Sequence, residues 1–388
     1  MGNTVGIITH YYNSQNYGGN LQAYALVKAI EKIGDFNVEQ ICYDTTPIKK
    51  NGKITFKKLI RLPKKLLCAM IDKKNQKKIA HKDKEYAKDF EQRASAFWAF
   101  NREKIKHSNK VYNKLNICDA GCDYDIYITG SDQVWNPKAV HPAYLLDFVK
   151  GKPKFSYAAS VACESLTENQ KQMFKESLKD YSGISVREQK AIDLLQPLTD
   201  MPIRCDLDPT LLLTKEEWDN VIDRDTPSEK YMFCYFLGED LRARELSNVY
   251  AKKKGLKIIT LPFMQGHYRA CDENFGDQRL FSVDPLKFVW LVKHAQVVFT
   301  DSFHAMLFSN IYSKNYIVFA RGKDDLMNSR IYQLIDLFGG EEKFVNTDDK
   351  YDLTYLENNA EWIDCQRSCV DEKRDLAMEY LKESLSRR

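Results

Sequence analysis

Long apolar runs are missing from this chain: none approaches the roughly 18 residues of a membrane span. Glycine and proline are sparse, at 17 and 11 of 388 residues, which excludes collagen-like and Pro/Gly-rich disordered chains. The start, Met1-Gly2-Asn3-Thr4-Val5-Gly6, has no basic segment followed by an apolar one, so no signal peptide is expected. Gly6 also stands where a myristoylation signal needs Ser or Thr. The ten cysteines include Cys118/Cys122 and Cys365/Cys369, each pair four apart, with no second CxxC and no histidine at ligand spacing. Reduced thiols in a cytoplasmic setting are expected, and no metal site. Walker, H-E-x-x-H and G-x-S-x-G patterns are absent too, and no G-x-G-x-x-G supports a nicotinamide cofactor.

What is present is an ordinary globular composition, 44% apolar and 29% charged, in a chain long enough for two or three domains. The net charge of +4 is unevenly spread. Between Lys49 and Tyr86, 13 lysines and Arg61 face three acids, giving +11 and leaving −7 for the rest. The basic charge therefore points to a local partner.

Periodicity reads β-α-β over the first fifty residues: a strand at Val5–Thr9, a helix carrying Leu21, Ala25, Leu26 and Ile30 with Gly34 as its cap, and a strand at Val38–Tyr43. A basic helical insert is expected from about 49 to 110. Short strands return at 125–129, 155–159, 183–186 and 203–206. The second half starts afresh at Tyr231, again alternating strands and helices, and a polar last helix near 371–386 reads as surface. Two Rossmann-like parallel-sheet domains of α/β class, 1–215 and 228–388, are predicted to face each other across a cleft.

Six segments carry chemistry. In Thr300-Asp301-Ser302-Phe303-His304, a strand runs into Asp301, a good N-cap, which puts His304 in the first turn of a helix. Unpaired N–H groups there attract anions, and a histidine that gains its proton as an anion arrives suits general acid catalysis. A packed structural histidine is the competing reading. Arg187 stands at the carboxyl end of a buried strand, where open α/β sheets hold ligands and where a guanidinium suits a carboxylate or phosphate; an Arg187–Glu188 surface pair is the alternative. Gly130-Ser131-Asp132-Gln133-Val134-Trp135-Asn136 offers polar groups and an aromatic face for a sugar, or else a tight turn around a buried Trp135. Asn16-Tyr17-Gly18-Gly19-Asn20 looks like a weak phosphate-cradling loop, and Arg330, after Asn328, is placed either at the cleft or in solvent. In the insert, Lys57, Lys58, Lys64 and Lys65 alternate with Phe56, Leu59, Ile60 and Leu66. That pattern suits an anionic membrane surface better than nucleic acid, with a solvated charged lid as the bland reading.

In order and spacing these segments, together with Tyr157-Ala158-Ala159-Ser160 and Asp208-Pro209-Thr210-Leu211-Leu212, resemble the polysaccharide pyruvyl transferase family over about residues 5–340. Ala305 stands where that family commonly has Gly, and the basic insert carries no family signature. The resemblance implies a fold similar to GT-B glycosyltransferases, no cofactor, and phosphoenolpyruvate as donor substrate. It implies a cyclic pyruvate ketal on two hydroxyls of a surface polysaccharide or its lipid-linked precursor; the cysteines point to the cytoplasm, and the basic insert to a place at the inner face of the cell membrane. Donor binding is assigned to Arg187, Ser302, His304, Asn328 and Arg330, with His304 and Arg187 catalytic. Acceptor binding is assigned to Asn16, Gly18, Gly19, Asn20, Asp132, Gln133 and Trp135. A sugar-nucleotide-dependent glycosyltransferase is the alternative.

Overall fold

The computed structural model describes residues 3–46, 87–264, 269–321, 325–346, 351–362 and 367–386. The membrane-binding lysines expected at 57, 58, 64 and 65 lie outside the described residues. Among those described, no helix is long and apolar enough to cross a membrane.

The first half holds a parallel sheet of five strands: β1 (Thr4–Ile8), β2 (Asn37–Tyr43), β3 (His107–Tyr112), β4 (Ile126–Thr129) and β5 (Lys154–Ser156), in the order β3-β2-β1-β4-β5. Bridges from Phe155 to Gly183 and from Ala159 to Val186 carry it on to the parallel pair β6 (Ile184–Val186) and β7 (Ile203–Cys205). The second half holds β8 (Tyr231–Tyr235), β9 (Lys257–Thr260), β10 (Gln278–Arg279), β11 (Val297–Thr300), β12 (Asn315–Phe319) and β13 (Phe344–Val345). They form one parallel sheet, ordered β10-β9-β8-β11-β12-β13. Sheets covered on both faces demand near-continuous apolar strands, and Tyr231–Tyr235 and Val297–Thr300 are buried throughout. In both sheets the strand order reverses once, between β1 and β4 and between β8 and β11. Such switch points open a crevice at the carboxyl ends of the strands.

The helices are α1 (Tyr17–Ile33), α2 (Ala87–Lys104), α3 (Glu168–Ser177), α4 (Gln189–Leu195), α5 (Lys215–Asp219), α6 (Leu241–Lys254), α7 (Pro285–His294), α8 (Phe303–Ile311), α9 (Asp325–Phe338), α10 (Leu353–Asn359) and α11 (Arg367–Ser386). A shared core joins the two halves. The Tyr17 ring of α1 stacks on Phe288 of α7 at 4.7 Å, and its hydroxyl donates to the Val283 carbonyl at 3.0 Å. Trp218 of α5 meets Phe308 of α8 edge-on at 5.1 Å, so the segment between the halves is itself part of the interface.

Three sequence expectations are corrected here. Residues 107–112 are not the tail of a helical insert but the edge strand β3, paired with β2 through Gln40↔His107 and Cys42↔Val111. The last helix, α11, is no free surface element. Ala377, Tyr380, Leu381 and Leu385 pack into the core of the first half beside Val5, Ile7 and Leu26. Gly34 has φ 176°, an extended backbone open to any residue, so it makes no left-handed cap.

Candidate active site

The two switch points face each other and build one cleft of about 750 Å³. From the second half comes the turn after β11. Asp301 does not cap α8; its carboxylate instead accepts from the Leu237 and Gly238 amides at 2.6 and 2.7 Å, tying the turn to the loop after β8. The cap is Ser302, whose Oγ accepts from the Ala305 amide at 3.5 Å. His304 therefore sits in the first turn of α8 as expected, and it lines the cleft.

Three neighbours fix its ring. A Cβ at Gly18 of α1 would fall 1.9 Å from His304 Nδ1, so only glycine lets the two helix starts approach. Phe303 lies edge-on to the ring at 5.0 Å. His304 Nε2 is 3.7 Å from Asp208 Oδ2, close but too long for a hydrogen bond. The same Asp208 oxygen accepts from Arg187 Nη1 at 3.0 Å, while its other oxygen accepts from the Thr210 amide and hydroxyl at 3.0 and 2.7 Å. Burial acts to raise the Asp208 carboxyl, but His304, Arg187 and Thr210 outweigh it and hold the group well below the usual carboxylate range.

Cations line the same half. Arg330 of α9 reaches the cleft, where its Nη1 and Nη2 donate to the Gln133 side-chain oxygen at 2.7 and 3.1 Å, with the amide turned to present that oxygen. Burial, and then the charges of Arg187 and Arg321, push Arg330 down to about 10, and its Nε has no partner. Arg321, just past β12, donates from Nη2 to the Asp301 carbonyl at 2.6 Å, and Arg269 donates from Nη1 to the Leu237 carbonyl at 2.5 Å; both line the cleft.

The expectation for Arg187 needs revision. It is buried, ion-paired with Asp208 and stacked over Phe303 at 4.8 Å, and it lines a separate 370 Å³ cavity that shares Phe303 with the cleft. Its Nε and Nη2 are buried without partners. Its place is behind His304 and Asp208, one layer from the cleft. Glu188 forms no pair with it; one of its oxygens accepts from the Val161 and Ala162 amides and the Ser160 hydroxyl.

The first half supplies the opposite wall: His10 after β1, Asn16 and Gly18 at the start of α1, and Asp132 and Gln133 after β4. Gly130 is required there, because its φ is +114° and a Cβ would strike the Tyr157 carbonyl at 2.2 Å. Asn16 caps α1 through the Gly19 amide at 3.2 Å. Burial lowers the His10 imidazole from its ordinary value, against the pull of Asp132.

Four expected site residues do other work. Trp135 is fully buried with its indole N–H on the Tyr144 carbonyl at 3.0 Å, so no sugar can stack on it. Asn20 is buried and donates to the Ser14 and Asn16 carbonyls at 3.0 and 2.8 Å. Gly19 backs onto the His10 carbonyl, 2.6 Å from where a Cβ would lie. Asn328 accepts from the Arg321 amide at 2.8 Å and so braces the loop rather than meeting a ligand. Conversely, His10, Arg269, Arg321 and the role of Asp208 were missed. Arg321 follows a parallel strand just as Arg187 does, so the same rule applied to every strand end would have found it.

Two parallel-sheet domains with a cleft between their switch points define a GT-B-like protein. In fold the chain is similar to the UDP-N-acetylglucosamine 2-epimerase of Rickettsia bellii, at TM-score 0.54 and 9% identity over 99% of this chain and 96% of that one. It is also similar to the S. aureus MnaA–UDP structure, at TM-score 0.50 and 11% identity over 100% and 99%. No curated protein matches in sequence. The family model for polysaccharide pyruvyl transferase matches residues 16–323, and the chain belongs to that family.

Proposed function

We propose that the protein transfers pyruvate from phosphoenolpyruvate to two hydroxyls of a glycan, leaving a cyclic ketal and inorganic phosphate. The observation that carries this reading is the meeting of Arg321, Arg330 and His304 on one wall of a cleft whose other wall presents Asn16, Asp132, Gln133 and His10. A donor bearing both a phosphate and a carboxylate needs several cationic and N–H partners at once, and a partly desolvated guanidinium binds such groups in bidentate fashion. Arg330, whose charge is opposed by burial and by two other arginines, gains most from an arriving anion.

In this reaction His304 delivers a proton to the methylene carbon, and the central carbon becomes oxocarbenium-like. One sugar hydroxyl attacks it and returns its proton to the His304 imidazole. The second hydroxyl then attacks the same carbon as the C–O bond to phosphate breaks, and its proton leaves on the phosphate as hydrogen phosphate. Asp208 and Arg187 hold the imidazole in place from behind, while Asp132 and Gln133 orient the acceptor. The acceptor is a polysaccharide or its lipid-linked precursor, and the basic segment before Ala87 is its proposed attachment to an anionic membrane surface. Transfer from a sugar nucleotide is supported only by the shared fold.

Thermal shift separates the two donors. A ligand at about 100 times its dissociation constant stabilises by roughly 2.7 kcal/mol. Phosphoenolpyruvate should do so with the wild type and fail with Arg330→Gln. Stabilisation by UDP-sugars alone would overturn the reading.

A further inference from the structure

A second cavity, of about 520 Å³, adjoins the reaction cleft between the loop after β1, helix α2 and strand β3. Tyr12, Asn13 and Ser14 line both spaces, so one stretch of chain joins them. We propose that this cavity is a second acceptor subsite, which binds the sugar residues adjacent to the one receiving pyruvate; it rests on the pyruvyl-transfer reading above. A volume of this size suits a small-molecule or oligosaccharide segment, since ligand sites commonly run from about 300 to 1,000 Å³.

The lining has the two halves of sugar recognition. Trp98 on α2 is a large aromatic left 57% exposed, and it stands with Tyr12 and Phe97 in the wall. Such rings offer apolar faces to the C–H side of a pyranose while leaving hydroxyls free for polar partners. Those partners are present: Asn101 Oδ1 is buried and accepts no hydrogen bond, which is a costly state for an amide oxygen unless a ligand donor reaches it. Asn13, Ser95 and Asn109 add further amide and hydroxyl groups. Among the described residues no carboxylate lines the cavity, and Arg102, stacked over Trp98 at 4.6 Å, is the one permanent cation. A lysine-rich peptide finds no counter-charge there, whereas an uncharged polyhydroxylated chain needs none. The position would hold an acceptor longer than one sugar in register, with the sugar in the cleft and those beside Trp98 on either side of Tyr12 and Asn13.

Binding without donor tests this independently of catalysis. Ligand-observed NMR and intrinsic fluorescence would compare monosaccharides of glucose, galactose, mannose and N-acetylglucosamine with their trisaccharides. At least one trisaccharide should bind the wild type about tenfold or more tightly than its monosaccharide. Trp98→Ala and Asn101→Ala should each remove that advantage with unchanged thermal midpoints and unchanged stabilisation by phosphoenolpyruvate, and Trp98→Phe should keep most of it. Equal binding of every trisaccharide and its monosaccharide, or an advantage untouched by both substitutions, overturns the subsite. Loss of phosphoenolpyruvate stabilisation in the wild type would instead overturn the donor reading and leave the subsite standing.

Discussion

His304 and Asp208 show how little of a residue's role is visible in its own neighbourhood of the chain. The strand-to-helix turn marks His304, but Asp208 lies nearly a hundred positions earlier and meets it only through the packing of the two halves. His304→Ala should leave the protein folded and slow turnover by roughly 10²–10⁴, the usual worth of a placed general acid; near wild-type turnover of phosphoenolpyruvate with a glycan would reject the role. Asp208→Asn should keep donor binding and lower kcat, because it acts on the imidazole and not on the donor. Its pH signature has a definite sign. The Asp208 carboxyl is held lower in the folded protein than in the unfolded chain, where it titrates near about 4. The unfolded state therefore takes up the proton first as pH falls, and stability that is complete above about pH 4 is lost progressively below it. Denaturation followed down through that range should be steeper for the wild type than for Asp208→Asn; parallel curves would contradict the lowering of the Asp208 carboxyl.

Elements were more legible than residues, for a physical reason. Parallel strands buried on both faces must be apolar throughout, so β1, β8, β11 and β12 stand out in the sequence. The edge strand β3 does not, because only Ser108 and Tyr112 of its six residues are buried and the alternation never reaches an apolar run. Helix α11 reads as a surface element on its mean polarity, although Ala377, Tyr380, Leu381 and Leu385 form a stripe at helical spacing that buries against the first half. Leu381→Ala should cost about 2–5 kcal/mol in chemical denaturation, as for other fully buried leucines. A change within about 0.5 kcal/mol would mean that the helix does not dock. Trp135 is ambiguous in the sequence because an aromatic after a polar turn reads alike whether it faces ligand or core; only the Tyr144 carbonyl beneath its indole decides. The start of α1 carries a sharper test. Gly18→Ala places a methyl where His304 Nδ1 stands, so the ring must move. Turnover should fall at least about tenfold with the helix intact by circular dichroism, if His304 is the general acid proposed above, since small displacements of such a group are costly.

At the scale of the whole molecule, the two sheets present their switch points to one another, so each half contributes what the other lacks. The second half brings His304, Arg321 and Arg330; the first brings Asp132, Gln133 and the glycine that admits the imidazole. Two-domain architecture of this kind was readable from the alternation of strands and helices, and the family from the order of the motifs. Of the arginine cluster, Arg187 and Arg330 stand out in their own segments, but Arg321 and the meeting of all three do not, because they come from the end of β6, α9 and the loop after β12, far apart in the chain. In the proposed reaction a proton reaches the methylene carbon of phosphoenolpyruvate before a sugar closes the ketal. The direct measurement is mass spectrometry and NMR of the glycan after reaction with phosphoenolpyruvate in deuterated water. One deuterium in the ketal methyl group, with phosphate released in equal amount and both lost in His304→Ala, is the expected result; phosphate release without a ketal on the glycan, or a ketal methyl free of deuterium, would contradict it.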